Sequence, residues 1–171
     1  LSLRAPGVAP SFLARYADAF AFSYLRAGWR KVPRTCLVAR KSAFTMGRYV
    51  DGRLRERYAI CIGRDDGSAK KTPDDRITPE GIFWISWKNA NPAGPWGMNG
   101  RGYGSRLLSL GGPGSAGGFV PRWEIAIHGV PPGAEWTIGR KRSLGCIRLH
   151  NREMIELFDR VKTGDLVLIC P

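Results

Sequence analysis

The sequence predicts a mainly β protein, a β-sandwich with one helix near its end and a helical extension at its beginning. Two observations support this class. From Thr35 onward, short runs of apolar and β-branched residues are separated by glycine and Asp-Gly turns. Helical periodicity of apolar residues is found near the start of the chain and at 151–161. At 171 residues, the chain has the usual size of one globular domain.

Residues 1–33 are predicted to form a helical extension, and residues 34–171 the main domain. Ser11 is a suitable N-cap for a helix that ends near Leu25. Aromatic residues recur at every fourth position of this helix and so line one face: Phe12, Tyr16, Phe20 and Tyr24. The stripe predicts packing, and we expect the helix to dock on the main domain, with Pro33 at the junction.

The first part of the main domain has β character. Residues 36–63 predict two or three short strands, with turns at Gly47 and at the Asp51-Gly52 step that is typical of hairpins. The polar, turn-rich stretch 64–78 predicts an exposed loop.

The middle of the domain mixes strands with long loops. The apolar run 81–87 predicts a buried strand, whereas 88–118 holds too much glycine and proline for regular elements. We expect it to form a long surface loop, of the kind that often serves as a lid or binding loop. Residues 123–128 alternate as a strand and end at His128, and residues 129–145 are predicted to be loop.

A helix and a strand are expected at the end of the domain. Residues 151–161 show a helical pattern, with Asn151 as a suitable N-cap and Glu153 placed favourably for the helix dipole. The apolar run 166–170 predicts a last strand.

The chain is strongly basic, with 27 lysines and arginines against 14 acidic residues and a net charge of +13. This excess favours polyanionic surroundings: nucleic acid, anionic lipid or an anionic cell envelope. No nucleic acid is expected as a partner, because neither zinc-finger spacing nor an aromatic-basic single-strand signature accompanies the charge. No apolar run approaches the roughly 20 residues that span a bilayer, and no export signal is recognisable.

The four cysteines do not form a metal or redox motif, because no two of them make a Cys-x-x-Cys pair. Cys36, Cys61 and Cys170 lie in strand-like runs, and we expect buried apolar side chains or one disulfide there. Cys146 lies instead in a glycine turn among basic residues: Arg140, Lys141, Arg142 and Arg148. Positive charge and turn N–H groups favour a thiolate with a lowered pKa, so Cys146 is the candidate nucleophile. A buried cysteine in a tight turn is the alternative.

A nucleophilic thiol needs a base, and the chain has two histidines. His128 follows a strand and precedes a glycine, which suits an exposed strand end with room for substrate. His150, beside the expected helix cap, is predicted to face solvent. His128 is therefore the candidate base.

Two segments together resemble the signature of the L,D-transpeptidase (YkuD-like) family: Ile-His-Gly at 127–129 and Ser-Leu-Gly-Cys-Ile-Arg-Leu at 143–149. The separation of 18 residues between His128 and Cys146 fits the family's range. Supporting matches are the Thr-Pro-Glu-Gly segment at 78–81, Gly139, and the terminal helix and strand. The resemblance covers roughly residues 35–170.

The resemblance implies a β-sandwich of the L,D-transpeptidase type that needs no metal or organic cofactor. It implies that His128 takes the Cys146 proton while the Gly129 carbonyl holds the imidazole in one tautomer. The thiolate then attacks a carbonyl of a peptidoglycan stem peptide and forms a thioester. An amine of a neighbouring stem peptide, or of an anchored protein, resolves it. A carbapenem β-lactam is the implied covalent inhibitor.

One position departs from the family pattern, since Leu144 stands where the motif normally has histidine. The change removes an imidazole but leaves the backbone N–H groups of Leu144, Gly145 and Cys146, which are the predicted oxyanion hole. Two alternatives therefore stay open: an L,D-carboxypeptidase or amidase that hydrolyses the same thioester, and a catalytically weakened wall-binding module.

Other residues are expected to contact substrate. Ser143 either caps the turn or contacts substrate, and Arg148 either binds a substrate carboxylate or braces the turn. Trp96 and Tyr103 are the predicted substrate-contacting residues of the glycine-rich lid. Expected partners are peptidoglycan stem peptides, and anionic wall polymers or a wall-anchored protein. The expected location is the bacterial cell envelope, periplasmic or extracellular.

Overall fold

The computed structural model describes residues 7–26, 28, 33–92, 102–113, 119–120 and 125–171. Trp96, and the first two residues of the strand predicted at 123–128, lie outside these described residues. No helix among them is long and apolar enough to cross a membrane.

The described residues form two helices and nine strands, which confirms the mainly β class. The helices are α1 (Pro10–Arg26) and α2 (Asn151–Arg160). The strands are β1 (Thr35–Arg40), β2 (Thr45–Val50), β3 (Arg53–Ala59), β4 (Gly81–Asn89), β5 (Leu107–Pro113), β6 (Phe119–Val120), β7 (Ala126–Gly129), β8 (Ile147–Leu149) and β9 (Leu166–Cys170). Single 3₁₀ turns lie at Pro73–Asp75 and Glu135–Thr137, the latter inside the predicted loop 129–145.

The strands belong to one sheet in the order β3-β2-β1-β9-β4-β5-β7-β8, with β6 paired to β5. β9 runs parallel to β1, and β8 runs parallel to β7. The two ends of this order also meet, because Cys61, just after β3, exchanges two backbone hydrogen bonds of 2.9 Å with Arg148 of β8. The sheet therefore closes around one interior, in agreement with the predicted sandwich.

The interior of the closed sheet is apolar. Its buried side chains include Leu37, Met46, Ile60, Phe83, Leu108, Ile127, Ile147 and Val167. Helix α2 covers it with Met154 and Leu157, both fully buried, as its predicted apolar face requires.

Helix α1 packs on the outer face of the sheet. Tyr16 and Tyr24 are buried against β-strand residues that include Trp84, and Phe12 packs at their edge. The aromatic stripe therefore packs as predicted, except that the Phe20 side chain lies outside what the structure describes. The helix begins at Pro10, a favourable first-turn residue, so Ser11 is inside the helix and was wrongly predicted as its N-cap.

The predicted hairpin turn is confirmed between β2 and β3. Asp51 and Gly52 both have positive φ, 50° and 76°, as a two-residue hairpin turn of the primed type requires. The turn predicted at Gly47 was wrong, because this residue lies inside β2. A Cβ there would come within 2.8 Å of the Tyr49 ring and 2.9 Å of Leu54, so glycine serves close packing.

The segment 88–118 is not devoid of regular structure, which corrects the sequence-based expectation. β4 continues to Asn89, and β5 runs through Gly111 and Gly112. A Cβ at Gly111 would lie 3.1 Å from the Trp84 indole. These glycines make room for a tryptophan on the neighbouring strand, which glycine content alone does not reveal.

Candidate active site

Parallel strands β7 and β8 position the two candidate catalytic side chains. Their register pairs Ile127 with Ile147 and His128 with Arg148. Ile127 and Ile147 lie in the apolar interior, so alternation puts His128 on the opposite face, together with Cys146 just before β8. Strand spacing and rise separate the Cα atoms of His128 and Cys146 by about 8 Å, within reach of an imidazole and a thiol.

His128 is buried, with 2% of its surface exposed, and not exposed as predicted. Its Nδ1 lies 2.6 Å from the Gly129 carbonyl oxygen. Because a carbonyl only accepts, Nδ1 carries the proton in the neutral ring and Nε2 is the basic nitrogen. The pKa of His128 is lowered to about 4, mainly by burial and also by the charge of Arg148, while hydrogen bonds with the Gly129 and Tyr103 backbone oppose the shift. The ring is therefore neutral at pH 7, the form that a general base needs.

Cys146 is half-buried and also neutral at rest. Burial raises its pKa, and this outweighs a hydrogen bond with the Ala126 backbone and the charges of Arg148 and Lys70, which lower it. The lowered pKa expected from the sequence was therefore wrong in direction. Three of the basic residues expected to lower it are exposed to solvent instead: Arg140, Lys141 and Arg142.

Tyr103 lies against the candidate base. Its ring packs edge-on against the His128 imidazole, with ring centroids 5.1 Å apart and planes at 86°. Burial raises the pKa of the Tyr103 hydroxyl, and the thiolate form of Cys146 raises it further. The predicted lid residue therefore covers the candidate base.

Asn151 holds the Tyr103 segment in place, a role that the sequence did not reveal. Its Oδ1 accepts from Ser105 N at 2.8 Å, and its Nδ2 donates to the Val130 carbonyl at 3.0 Å. His150, exposed as predicted, occupies the N-cap position, so the prediction of Asn151 as N-cap was wrong. Gly129 leaves room for this amide, because a Cβ there would overlap Asn151 Oδ1.

The nucleophile turn is braced from within by Ser143. Its hydroxyl donates to the Cys146 carbonyl at 2.5 Å and accepts from Gly145 N at 3.1 Å. Ser143 is buried, so of its two predicted roles the structure shows turn capping. The Gly145 amide is already engaged, and it joins an oxyanion hole only if this hydrogen bond breaks. Leu144 is 62% exposed, so the departure from the family motif leaves these turn contacts intact.

The Thr-Pro-Glu-Gly segment contacts the same turn. The Thr78 hydroxyl donates to the Gly145 carbonyl and accepts from Gly63 N, both at 2.8 Å. A Cβ on Gly63 would overlap Arg76 O and lie 2.7 Å from Gly145 N. Backbone therefore packs directly on backbone behind the nucleophile, which only glycine at position 63 allows.

Arg148 is tied to the site by its backbone and its charge. Its main chain pairs with Cys61, which braces the strand that follows the nucleophile. Its Nε is buried and has no hydrogen-bond partner among the described residues. A buried guanidinium nitrogen without a hydrogen-bond partner is energetically costly.

The remaining cysteines take no part in the site. All four cysteines are free thiols, so the alternative of one disulfide is not realised. In the parallel pairing of β1 with β9, Cys36 lies opposite Leu166 and Cys170 lies opposite Arg40. Cys36 and Cys170 are therefore four residues apart along the strand direction. Burial raises the pKa of Cys36 to about 12 and of Cys170 to about 11, so both are unreactive at neutral pH.

A thiol just before β8 and a neutral imidazole on the neighbouring strand β7 make a candidate cysteine–histidine site. The model of the L,D-transpeptidase catalytic domain family, YkuD, matches residues 34–169. The chain therefore belongs to the L,D-transpeptidase family.

Sequence relatives agree with this assignment, and solved structures share the fold. A Bacillus licheniformis protein provisionally named L,D-transpeptidase YkuD is 32% identical over 127 residues, 74% of this chain and 60% of the relative. The chain thus spans about 60% of the length of the curated relatives it matches. Bd1075 of Bdellovibrio bacteriovorus has a TM-score of 0.59 at 22% identity, covering 81% of this chain and 48% of its own. The L,D-transpeptidase LdtMt1 in complex with imipenem has a TM-score of 0.53 at 21% identity, covering 80% and 58%.

Proposed function

We propose that this protein is a cysteine L,D-transpeptidase that acts on peptidoglycan stem peptides through a thioester on Cys146. The observation that carries the proposal is the neutral His128, whose tautomer is set by the Gly129 carbonyl, at a register position that strand alternation puts on the same sheet face as Cys146. In this proposal residues 34–171 form the catalytic domain, residues 1–33 form an extension, and the protein works in the bacterial cell envelope.

The reaction begins when His128 Nε2 takes the proton of the Cys146 thiol. The thiolate attacks the carbonyl carbon, and the backbone amides of Leu144 and Cys146 stabilise the oxyanion. When the C–N bond breaks, the imidazolium returns its proton to the leaving D-alanine amine and a thioester remains on Cys146. The amine of an acceptor stem peptide or wall-anchored protein then attacks, gives a proton to His128, and releases the thiol.

Three further groups have roles in substrate binding. The guanidinium group of Arg148 donates hydrogen bonds to a substrate carboxylate. Tyr103 covers His128 and limits its contact with water. Trp96 belongs to the same predicted lid. The net charge of +13 favours anionic wall polymers around the substrate.

Intact mass after incubation with imipenem tests the nucleophile. We expect one adduct on the wild type, none on Cys146→Ala, and an acylation rate at least about 100-fold lower in His128→Ala. LdtMt1, which has the same fold, is known in complex with imipenem. An unmodified wild type that still binds sacculi would contradict the proposal and indicate a wall-binding module.

Product analysis with a stem peptide tests the second half of the reaction. With an added amine acceptor we expect a cross-linked product, whose yield rises with acceptor concentration. Release of D-alanine without any transfer product would instead indicate an L,D-carboxypeptidase, the outcome that the exposed Leu144 keeps open.

A further inference from the structure

A buried lysine lies in the segment that the sequence predicts to be an exposed loop. The side chain of Lys70 is 4% exposed, whereas the neighbouring Lys71 is exposed. Lys70 Nζ donates to the Thr72 carbonyl and to Asp75 Oδ1, both at 2.9 Å. A buried ammonium group costs free energy unless it is paired and hydrogen-bonded, so the loop is organised around this charge.

Asp75 fixes the position of the ammonium group. Its Oδ2 accepts from the backbone N–H groups of Lys71 at 2.6 Å and Thr72 at 2.9 Å, and its Oδ1 accepts from Ile77 N at 2.9 Å. Burial raises the Asp75 pKa, but the hydrogen bonds from Lys70 and these amides together hold it well below its usual range. The carboxylate therefore stays ionised, and the ion pair with Lys70 persists at neutral pH.

Both ends of this loop contact the residue before the nucleophile. At the end of the loop, the Thr78 hydroxyl links Gly63 N to the Gly145 carbonyl. The Ile77 carbonyl also faces Gly145, where an added Cβ would lie 3.1 Å away. Asp75 accepts a hydrogen bond from Ile77 N, and the Ile77 carbonyl faces Gly145. Ile77 therefore connects the Lys70–Asp75 pair to the nucleophile turn.

We propose that Lys70 is a positioning residue of this site, a cation that the Asp75-centred loop holds near the nucleophile turn so that the thiolate form of Cys146 is favoured. The inference rests on the proposed function only in assigning Cys146 as the nucleophile. The charges of Lys70 and of Arg148, on β8, both lower the Cys146 pKa against the effect of burial. His128 on β7 and Tyr103, the other titratable groups described around it, are neutral at pH 7.

The test is the rate of Cys146 alkylation by iodoacetamide as a function of pH, followed on the peptide that contains Cys146. This rate reports the thiolate fraction and needs no substrate. In Lys70→Gln we expect the midpoint of this pH profile to rise by roughly half a pH unit to one pH unit. The alkylation rate at pH 7.5 should then be about three- to tenfold lower than in the wild type. Lys71→Gln removes the same charge from an exposed neighbour and should match the wild type. Lys70→Arg should stay within about twofold of it.

Asp75→Asn tests whether the loop holds the cation in place. This variant keeps the Lys70 charge but removes the carboxylate that fixes its position, so the midpoint of the pH profile should rise toward that of Lys70→Gln. Thermal unfolding of each variant checks that it folds. If Lys70→Gln does not fold, Asp75→Asn and Lys70→Arg test the inference instead. A midpoint unchanged in Lys70→Gln or in Asp75→Asn, or raised in Lys70→Arg as much as in Lys70→Gln, would overturn the inference. If the variants shift the pH profile as expected but the wild-type protein forms no cross-linked product, the proposed function would be contradicted and the inference about Lys70 would stand.

Discussion

The nucleophile end and the α1 face are both buried, but different contacts bury them. Around Cys146, backbone packs on backbone at Gly63 and Gly145, and hydroxyls such as Thr78 link the segments. Under α1, aromatic side chains such as Tyr24 pack on the sheet. Side chains can adjust to a change of volume, whereas two touching backbones cannot. Substitutions at the nucleophile end should therefore change both stability and rate, and those under α1 should change stability alone.

Gly63→Ala should give the largest effect. The added Cβ would overlap Arg76 O and lie 2.7 Å from Gly145 N, both backbone atoms that cannot move independently. We expect a loss of more than about 3 kcal/mol in the free energy of unfolding. Imipenem acylation of the folded fraction should fall by about 100-fold, because the nucleophile turn is displaced. Urea denaturation and intact mass measure the two effects.

Gly102→Ala is the matched control, because, apart from its chain neighbours, no atom of the described residues lies within 4 Å of an added Cβ there. It should leave stability and acylation close to those of the wild type. If Gly63→Ala and Gly102→Ala had the same unfolding free energy and the same acylation rate, close backbone packing would not distinguish the nucleophile end from the α1 face.

The pH dependence of stability should show the next largest effect. The folded-state pKa of His128, about 4, is below its ordinary value of 6.5, so the unfolded state binds the proton more tightly. The stability contributed by neutral His128 is complete above about pH 6.5 and is lost as pH falls through 4, roughly 3 kcal/mol in all. Urea denaturation between pH 4 and 8 should show a steeper loss for the wild type than for His128→Asn. Parallel curves for the two proteins would contradict the burial of a neutral imidazole.

Asn151→Ala should have a smaller effect on both properties. It removes the hydrogen bonds to Ser105 N and the Val130 carbonyl, which hold the Tyr103 segment. We expect a loss of about 1–3 kcal/mol in unfolding free energy and about a tenfold slower acylation. Asn151→Asp keeps the acceptor for Ser105 but loses the donor for Val130, so its effects should be intermediate. A change in stability without a change in rate would show that this segment does not serve the site.

Tyr24→Phe should give the smallest effect, and on stability only. It removes the hydrogen bond of 2.9 Å to the Gly164 carbonyl while the ring stays in place. The expected loss is about 1 kcal/mol of unfolding free energy, with an unchanged acylation rate. Slower acylation in this variant would show that the α1 face is coupled to the site.

The sequence revealed those features that depend on neighbouring residues. The Asp51-Gly52 hairpin, the apolar face of α2 and the strand at 166–170 follow from local pattern, and the structure has all three. The match of two separated segments to a known motif also selected Cys146 and His128.

Features that depend on contacts distant in sequence were not revealed. Lys70 was placed in an exposed loop because its partner Asp75 and its burial depend on where the loop folds back. The sequence position of Asn151 suits an N-cap residue. Its actual role, holding the Tyr103 segment, depends on hydrogen bonds with Ser105 and Val130, which are distant in sequence. The predicted direction of the Cys146 pKa shift was wrong, because the effect of burial outweighs that of nearby charge and a sequence does not display burial.

The position of β9 has a consequence for how the protein acquires its reactivity. β9 follows Cys146 in sequence but lies between β1 and β4 in the sheet, and its pairing places Leu166 opposite Cys36. Contacts of such long sequence separation form slowly and only after the distant segments have met. A nascent chain that has emerged as far as Cys146 still lacks the strand at the centre of its sheet. The half-buried surroundings of the Cys146 thiol are therefore completed only after β9 has paired with β1 and β4.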